Sequence, residues 1–252
     1  MKDYLLEACV DSVESACIAT QNGAGRLELC ANLVIGGTTP SLALFEEVRK
    51  RCDNKINVLI RPRFGDFCYS KEEFTVMKRE IMQFEKAGAD GVVIGILKPD
   101  GSLDCDRMRE CIGLAENMKI TLHRAFDVCR DPYEALEQAV RLEADTILTS
   151  GQEADACRGA ECIAALKKQA RGRITIMAGS GVSAENIEEI YQRTGVSVFH
   201  MSGKKVLNSA MTYRRENVPM GLSFLSEFEI WQTDGEKIAA AVRTLATCGG
   251  KG

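Results

Sequence analysis

Short apolar runs rich in leucine and β-branched residues alternate with longer amphipathic runs along the chain. The short runs have the length of strands and lie at 4–9, 26–30, 56–62, 91–95, 119–124, 146–150, 174–179 and 196–200. The longer runs predict helices at 11–22, 41–52, 71–87, 104–117, 132–143, 155–170, 183–194 and 233–247. Strict alternation of this kind predicts parallel strands joined by right-handed crossovers.

The number of strand–helix units decides between an open sheet and a closed one. Eight similar units within 252 residues favour an α/β fold closed into a (β/α)₈ TIM barrel. Because no linker or low-complexity segment interrupts residues 1–252, we expect one single domain. Residues 201–232 are the least periodic stretch, which we interpret as a long final loop with one or two short helices.

Charge and hydropathy limit the cellular locations and the classes of partner that are expected for the protein. A net charge of -4, without a basic stripe, argues against a nucleic-acid partner. Glu7 and Asp11 interrupt the first apolar stretch, which therefore lacks the apolar core of a signal peptide. No segment approaches the roughly 20 apolar residues that a membrane span needs. We therefore expect a cytoplasmic protein with no membrane partner, and we leave homo-oligomerisation open.

The 11 cysteines are scattered and odd in number, and most lie inside periodic apolar segments. A disulfide scaffold would be short and rich in loops, so we expect reduced thiols. The chain has no C-x-x-C motif and no zinc-module spacing.

Side chains of a parallel barrel alternate between the lumen and the helix layer, and sites form at the carboxyl ends of the strands. In the first strand this alternation sends Glu7 and Cys9 into the lumen. In the second strand it sends Glu28 and Cys30 there. Adjacent strands lie about 4.8 Å apart, so two carboxylates and two thiols are predicted to share one corner of the barrel mouth.

Later strands end in further polar residues that we expect around the same pocket: Arg61, Arg63, Asp66, His123, Arg124, Asp127, Ser150 and His200. Buried charge is costly when unpaired, so we expect the two glutamates to pair with Arg61, Arg63 or Arg124. Strict alternation points Arg124 away from the lumen unless the backbone turns after His123. The candidate catalytic groups are Glu7, Glu28, Arg61 and His123, although structural ion pairs or a hydrogen-bonded core histidine remain alternatives.

The seventh strand is followed by "MAGSGVSAEN", in which Gly179, Ser180 and Gly181 form a turn before a helix. Loops after the seventh and eighth strands of such barrels often hold a phosphate on backbone N–H groups. Ser202 could complete this anion-binding cradle. The same glycine pattern also serves any tight turn between a strand and a helix.

Cys9 and Cys30 allow a second interpretation. Soft thiolates select Cu(I), and two or three of them suffice for a site of low coordination number. Cysteine is also among the residues most often buried without chemistry. Taken alone, the residues favour the inert interpretation.

Several stretches resemble the CutC family of copper homeostasis proteins: "LEACVDSVESA", "GAGRLELC", "GGTTPS", "IRPRFGDFCYS", "HRAFD", "LTSGQ", "MAGSGV" and "FH". They occur in family order and spacing over almost the whole chain. The resemblance implies a cytoplasmic (β/α)₈ barrel associated with copper tolerance and Cu(I) binding, in which Cys9 and Cys30 look like the copper ligands. Val198 and Met201 depart from the family pattern around "FH", so the resemblance assigns no role to His200.

Three functions are compatible with these features. The first is a cytosolic copper homeostasis protein with copper, as Cu(I), on thiols near the barrel mouth. The alternative is a TIM-barrel enzyme acting on a small anionic or phosphorylated substrate in a Glu/Arg/His pocket. The third is a non-catalytic interaction scaffold. The residues leave open whether the protein is an enzyme, and they indicate no organic cofactor.

Overall fold

The computed structural model describes residues 4–215, 218, 220–222 and 225–249. Eight parallel strands form a closed barrel in sequence order, which confirms the predicted TIM barrel. The strands are β1 Leu5–Val10, β2 Arg26–Leu29, β3 Lys55–Leu59, β4 Gly91–Ile94, β5 Lys119–Leu122, β6 Thr146–Thr149, β7 Thr175–Ala178 and β8 Val198–Met201. Closure occurs at β1, which pairs with both β2 and β8.

Eight α-helices surround the barrel: α1 Val13–Gln21, α2 Leu42–Arg49, α3 Lys71–Lys86, α4 Cys105–Leu114, α5 Pro132–Arg141, α6 Ala160–Ala170, α7 Ile187–Thr194 and α8 Gly235–Gly249. The longest, α3, shows why its sequence folds this way. Ser70 and Glu73 form a reciprocal capping box at its start. Its buried residues recur at helical spacing as Phe74, Met77, Ile81 and Phe84. No helix in the described ranges is long and apolar enough to cross a membrane.

Alternation along the strands places residues as expected. Leu6 and Ala8 of β1 are buried in the large core between barrel and helices. Cys9 and Cys30 belong instead to a small separate cluster with Leu59 and Val93. Several strands and helices are shorter than predicted. The strands are shorter because the chain leaves the sheet before the polar residues at the strand ends. The predicted strand 119–124, for example, ends at Leu122.

The expectation of a long loop with short helices at 201–232 is wrong. Part of this stretch, Lys204–Asn208 and Glu229–Thr233, forms an antiparallel two-stranded sheet beside the barrel, with strands β9 and β10. Residues 216, 217, 219, 223 and 224 lie outside the described residues. Lys204 Nζ lies 3.3 Å from the centre of the Trp231 ring across this sheet. Nearly all residues of these two strands are exposed or half-buried, so they lack the buried apolar run that marks most barrel strands.

Phe199 in β8 provides a test of this packing. Its side chain is fully buried in the core between barrel and helices. We expect Phe199→Ala to lower the free energy of unfolding by about 3–5 kcal/mol. Phe64→Ala is the matched control, because Phe64 is 64% exposed, and it should change that energy by less than about 0.5 kcal/mol. Chemical denaturation of both variants measures the difference, and similar losses would contradict the assigned burial.

Candidate functional site

A cavity of about 710 Å³ opens where the barrel strands end. Most of the residues predicted from the sequence lie in its wall: Cys9, Glu28, Arg61, His123, Arg124, Asp127, Ser180, Gly181, His200 and Ser202. The other predicted residues do not line it: Glu7, Cys30, Arg63, Asp66, Ser150 and Gly179. Of these, Glu7 and Cys30 are buried and contact the wall residues His200 and Cys9. Another depression, of about 810 Å³, lies outside the barrel near Glu137 and Arg173, which form an ion pair.

Glu7 is the most deeply buried charged group of this region, with 0% exposure. Arg26 Nε donates to Glu7 Oε2 at 2.5 Å, and His200 Nδ1 lies 2.8 Å from Glu7 Oε1. Burial by itself raises the pKa of Glu7, but the charge of Arg26 and the hydrogen bond from His200 outweigh it. The pKa of Glu7 is therefore held below its usual range, and the ionised carboxylate accepts a hydrogen bond from His200 Nδ1–H.

Glu28 lies on the other side of His200. The distance from His200 Nε2 to Glu28 Oε2 is 3.5 Å. Burial raises the pKa of Glu28, and although the charge of His200 opposes this, the charge of Glu7 adds to it. Burial lowers the pKa of His200, but the two carboxylates outweigh burial and raise it. An imidazole held between two carboxylates can carry a proton or, once deprotonated at Nε2, bind a metal.

The two thiols lie at the same corner. Cys9 Sγ and Cys30 Sγ are 3.7 Å apart, and both side chains are buried. The hydrogen bond with Cys30 and burial raise the pKa of Cys9 well above its usual range. Cys9 is therefore a neutral thiol at physiological pH.

The expected pairing of the glutamates with Arg61, Arg63 or Arg124 is wrong. Arg63 binds Asp66 and Glu73 in its own loop, at 2.8 and 2.6 Å. Arg124 binds Asp127 at 2.7 Å. The partner of Glu7 is Arg26, which sequence reasoning missed. The signal was present, because Arg26 precedes Glu28 by two residues and therefore faces the same side of β2.

Arg61 follows the end of β3 and turns into the neighbouring loops. Its Nη atoms donate to the carbonyl oxygens of Gly36, Gly37 and Gly65, at 3.3, 3.1 and 2.8 Å. Its guanidinium carbon lies 4.9 Å from the centre of the Phe67 ring. Its Nε is buried without a hydrogen-bond partner. Within the described part of the chain, this 8% exposed cation has no carboxylate partner.

His123 caps a short 3₁₀ helix, Arg124–Val128. Its Nδ1 accepts a hydrogen bond from the Ala125 N–H at 3.1 Å, which places the proton of the neutral ring on Nε2. That Nε2 is buried and has no hydrogen-bond partner in the described part of the chain. The Phe67 ring centre lies 4.9 Å from the His123 ring centre. Burial, and then the charge of Arg61, lower the pKa of His123 to about 3.

Asp127 organises the loop after β6. Its carboxylate accepts hydrogen bonds from the hydroxyl of Thr149 and from the N–H and hydroxyl of Ser150. Arg124 Nη2 also donates to Ser150 Oγ at 3.0 Å. Because the chain turns into the 3₁₀ helix after His123, Arg124 reaches the cavity wall despite its strand parity. Asp127 and Ser150 thus hold loops in place. Arg124 and Asp127 both lie at the cavity wall.

The predicted anion cradle is a loop with two successive left-handed residues, Ser180 (φ 73°) and Gly181 (φ 68°). Ser180 Oγ donates to the Ala154 carbonyl at 2.9 Å and fixes the loop. Gly179 is a packing residue, since a Cβ there would lie 2.5 Å from Leu148 Cδ1. The N–H groups of Ser180 and Gly181 donate no hydrogen bond among the residues that the structure describes. Successive free N–H groups of this kind form concavities that bind anions.

Fold and site together define a class: a (β/α)₈ barrel whose mouth carries a cluster of thiols, carboxylates and an imidazole. The model of the CutC family matches residues 4–205. The chain is 47% identical over 240 residues to a family protein CutC of Parabacteroides distasonis, covering 94% of this chain and 99% of that one. It therefore belongs to the CutC family.

Two further relatives carry more descriptive names. A mouse protein named copper homeostasis protein cutC homolog is 42% identical over 243 residues, covering 96% of this chain and 88% of the mouse protein. The crystal structure described as copper homeostasis protein CutC from Streptococcus agalactiae has a TM-score of 0.75 and 31% identity. That comparison covers 79% of this chain and 98% of the other.

The environment of His123 predicts a histidine that stays neutral. Its folded pKa of about 3 lies below the unfolded value of 6.5. The stability associated with the neutral ring is thus complete above pH 6.5 and is lost as the pH falls toward 3, by about 5 kcal/mol in total. We expect the His123 Cε1–H NMR signal to stay constant from pH 8 to about pH 5, with assignment by a His200→Gln variant. A midpoint near 6.5 would contradict this burial.

Proposed function

We propose that this chain is a cytosolic copper homeostasis protein that binds Cu(I) through Cys9 and Cys30. The observation that carries the proposal is the 3.7 Å separation of the two thiol sulfurs beside the barrel-mouth cavity. Thiolates are the ligands that select Cu(I), and two are enough. The names of the mouse and human relatives support a copper role. None of the 11 cysteines, all of which lie in the described residues, forms a disulfide bond, and keeping thiols reduced suits the cytosol.

The surroundings of the thiols favour a metal over free thiolates. Leu59 and Val93 pack around Cys9 and Cys30, so the sulfurs lie in an apolar environment. A buried thiol has a raised pKa, and each thiol must lose its proton to bind copper. Glu28 is the register partner of Cys9, and its carboxylate lies within 4.8 Å of the Cys9 sulfur, so it can accept such a proton. Cu(I) binding should therefore release protons and weaken as the pH falls.

The copper proposal is tested by anaerobic competition for Cu(I) against a chromophoric chelator. We expect a Cys9→Ser, Cys30→Ser double variant to bind Cu(I) at least about 100-fold more weakly, because both soft ligands are lost. The matched control is a Cys17→Ser, Cys52→Ser double variant, which removes two thiols from the core between barrel and helices, outside the lumen. It should bind like wild type. Equal affinity in all three proteins would remove Cys9 and Cys30 from copper binding.

A second candidate function is an enzyme acting on a small anionic or phosphorylated substrate in the same cavity. The specific observation is that Arg61, next to His123, is a buried cation with no carboxylate partner among the residues that the structure describes. Buried charge without a counter-charge is costly, and an anionic ligand would offset the cost. Ser180 and Gly181, whose N–H groups donate no hydrogen bond within the described ranges, line the same cavity. Phe67 packs on both Arg61 and His123. A ligand would therefore reach the N–H donors of these two side chains only after the Phe67 ring moves.

Inorganic phosphate is the probe for the anionic candidate. We expect calorimetry to detect phosphate binding to wild type, weakened at least about tenfold by Arg61→Gln because a buried charge-assisted contact is lost. Arg51→Gln is the control, since Arg51 is an exposed arginine that pairs with Glu47. It should leave binding unchanged at constant ionic strength. The anionic candidate fails if phosphate does not bind, or if both variants bind as wild type does.

A further inference from the structure

Three different kinds of metal donor meet at the thiol corner. One donor atom each from Cys9, Glu28 and His200 lie within 4.8 Å of one another. Cys30 Sγ is 3.7 Å from Cys9 Sγ and brings a fourth donor. The closing seam of the barrel creates this cluster, because Cys9 is the register partner of Glu28 on β2 and Glu7 that of His200 on β8.

His200 is held in the orientation that a metal ligand needs. Its Nδ1–H is committed to Glu7, which Arg26 fixes in turn. Its Nε2 therefore faces Glu28 and Cys9. Metal-binding histidines almost always donate the other ring N–H to a carboxylate or carbonyl, which sets both tautomer and ring orientation.

A direct hydrogen bond between His200 and Glu28 does not by itself explain why these two side chains face each other. Their 3.5 Å separation exceeds the 2.7–3.2 Å of ordinary N–H···O hydrogen bonds. A metal ion between them would instead bind both atoms at about 2.0–2.2 Å. Bonds of this length in a tetrahedral site put neighbouring ligand atoms about 3.3–3.8 Å apart. The 3.5 Å between His200 and Glu28 and the 3.7 Å between the two sulfurs are close to that spacing. Cys30 lies outside the group of three mutually close donors and would join them through its contact with Cys9.

We propose that Glu28 and His200 join Cys9 and Cys30 in one four-donor centre for a divalent ion such as Zn²⁺, with Glu7 as the positioning residue. This inference rests on the proposed role of the two thiols as metal ligands and adds a second class of ion. Zn²⁺ takes thiolate, imidazole and carboxylate ligands in four-coordinate sites, whereas Cu(I) needs the soft thiolates alone. Glu28 and His200 should therefore matter for the divalent ion and matter little for Cu(I).

Anaerobic Co²⁺ titration of the full chain tests the centre, because Co²⁺ replaces Zn²⁺ in such sites and is coloured. In wild type we expect thiolate-to-cobalt charge-transfer bands and strong ligand-field bands, both removed by Zn²⁺. His200→Gln and Glu28→Gln should each weaken Co²⁺ binding at least about tenfold and shift the ligand-field bands. Glu80→Gln is the matched control, a largely buried glutamate hydrogen-bonded to Thr39, and should behave as wild type.

Glu7→Gln tests the positioning role. It should weaken Co²⁺ binding by about 10–100-fold and alter the ligand-field bands while the thiolate charge-transfer bands persist. If Glu7 had only a structural role, the ligand-field bands of the protein that still binds Co²⁺ would be unchanged. X-ray absorption of Zn²⁺-loaded wild type serves as an independent measurement that needs no variant. It should show two sulfur and two nitrogen or oxygen neighbours.

Parallel Cu(I) titrations separate this inference from the copper proposal. Cu(I) binding without Co²⁺ binding would overturn the four-donor centre and leave the copper site standing. Co²⁺ binding through all four donors without Cu(I) binding would overturn the copper site and leave the centre. Unchanged Co²⁺ affinity and spectra in His200→Gln would show that His200 is not a ligand and would overturn the four-donor centre.

Discussion

The carboxylate of Glu7 carries a negative charge inside the barrel, at the seam where β1 meets both β2 and β8. Burying such a group costs several kcal/mol unless partners offset it. Here Arg26 and His200 do so, and each is the register partner of Glu7 on a neighbouring strand. The ion triad therefore requires the register that closes the barrel, and a different register would leave its charges buried and unpaired.

The cavity has two corners with opposite charge preferences, and the triad lies at one of them. At the seam, Cys9 and Glu28 lie beside the oriented His200, which favours a cation. Across the mouth, Arg61 and His123 offer N–H donors without carboxylate acceptors in the described chain, which favours an anion. The two corners share one cavity but no donor atoms, so the proposed metal site and the proposed anion site do not compete for ligands. An anion beside a metal would also reduce the charge of both in this partly buried site.

Much of the fold and part of the site were predictable from the sequence. Periodicity predicted the eight strand–helix units, and alternation placed Glu7, Cys9, Glu28 and Cys30 on the lumen side. Pairing was not predictable from strand ends. The partner of Glu7 depends on the register between β1 and β2, whereas Arg61 and Arg63 lie beyond β3 and bind atoms of nearby loops. The β9–β10 sheet was missed because its short strands keep Val206 and Ile230 half exposed.

Charge balance links the buried thiols to the choice of metal. Without metal, the raised pKa of Cys9 keeps a neutral thiol next to Glu28, so the corner avoids an additional buried charge. When a metal binds, the thiol protons leave and the charge of the ion takes their place. Two thiolates and one Cu⁺ leave a net charge of −1 from these three groups. Two thiolates and one Zn²⁺ leave none, and the ionised carboxylate of Glu28 brings the proposed four-donor centre to −1 as well. In the proposed sites, ligand softness would thus favour Cu(I) on the two thiolates, and the added donors of Glu28 and His200 would favour a divalent ion.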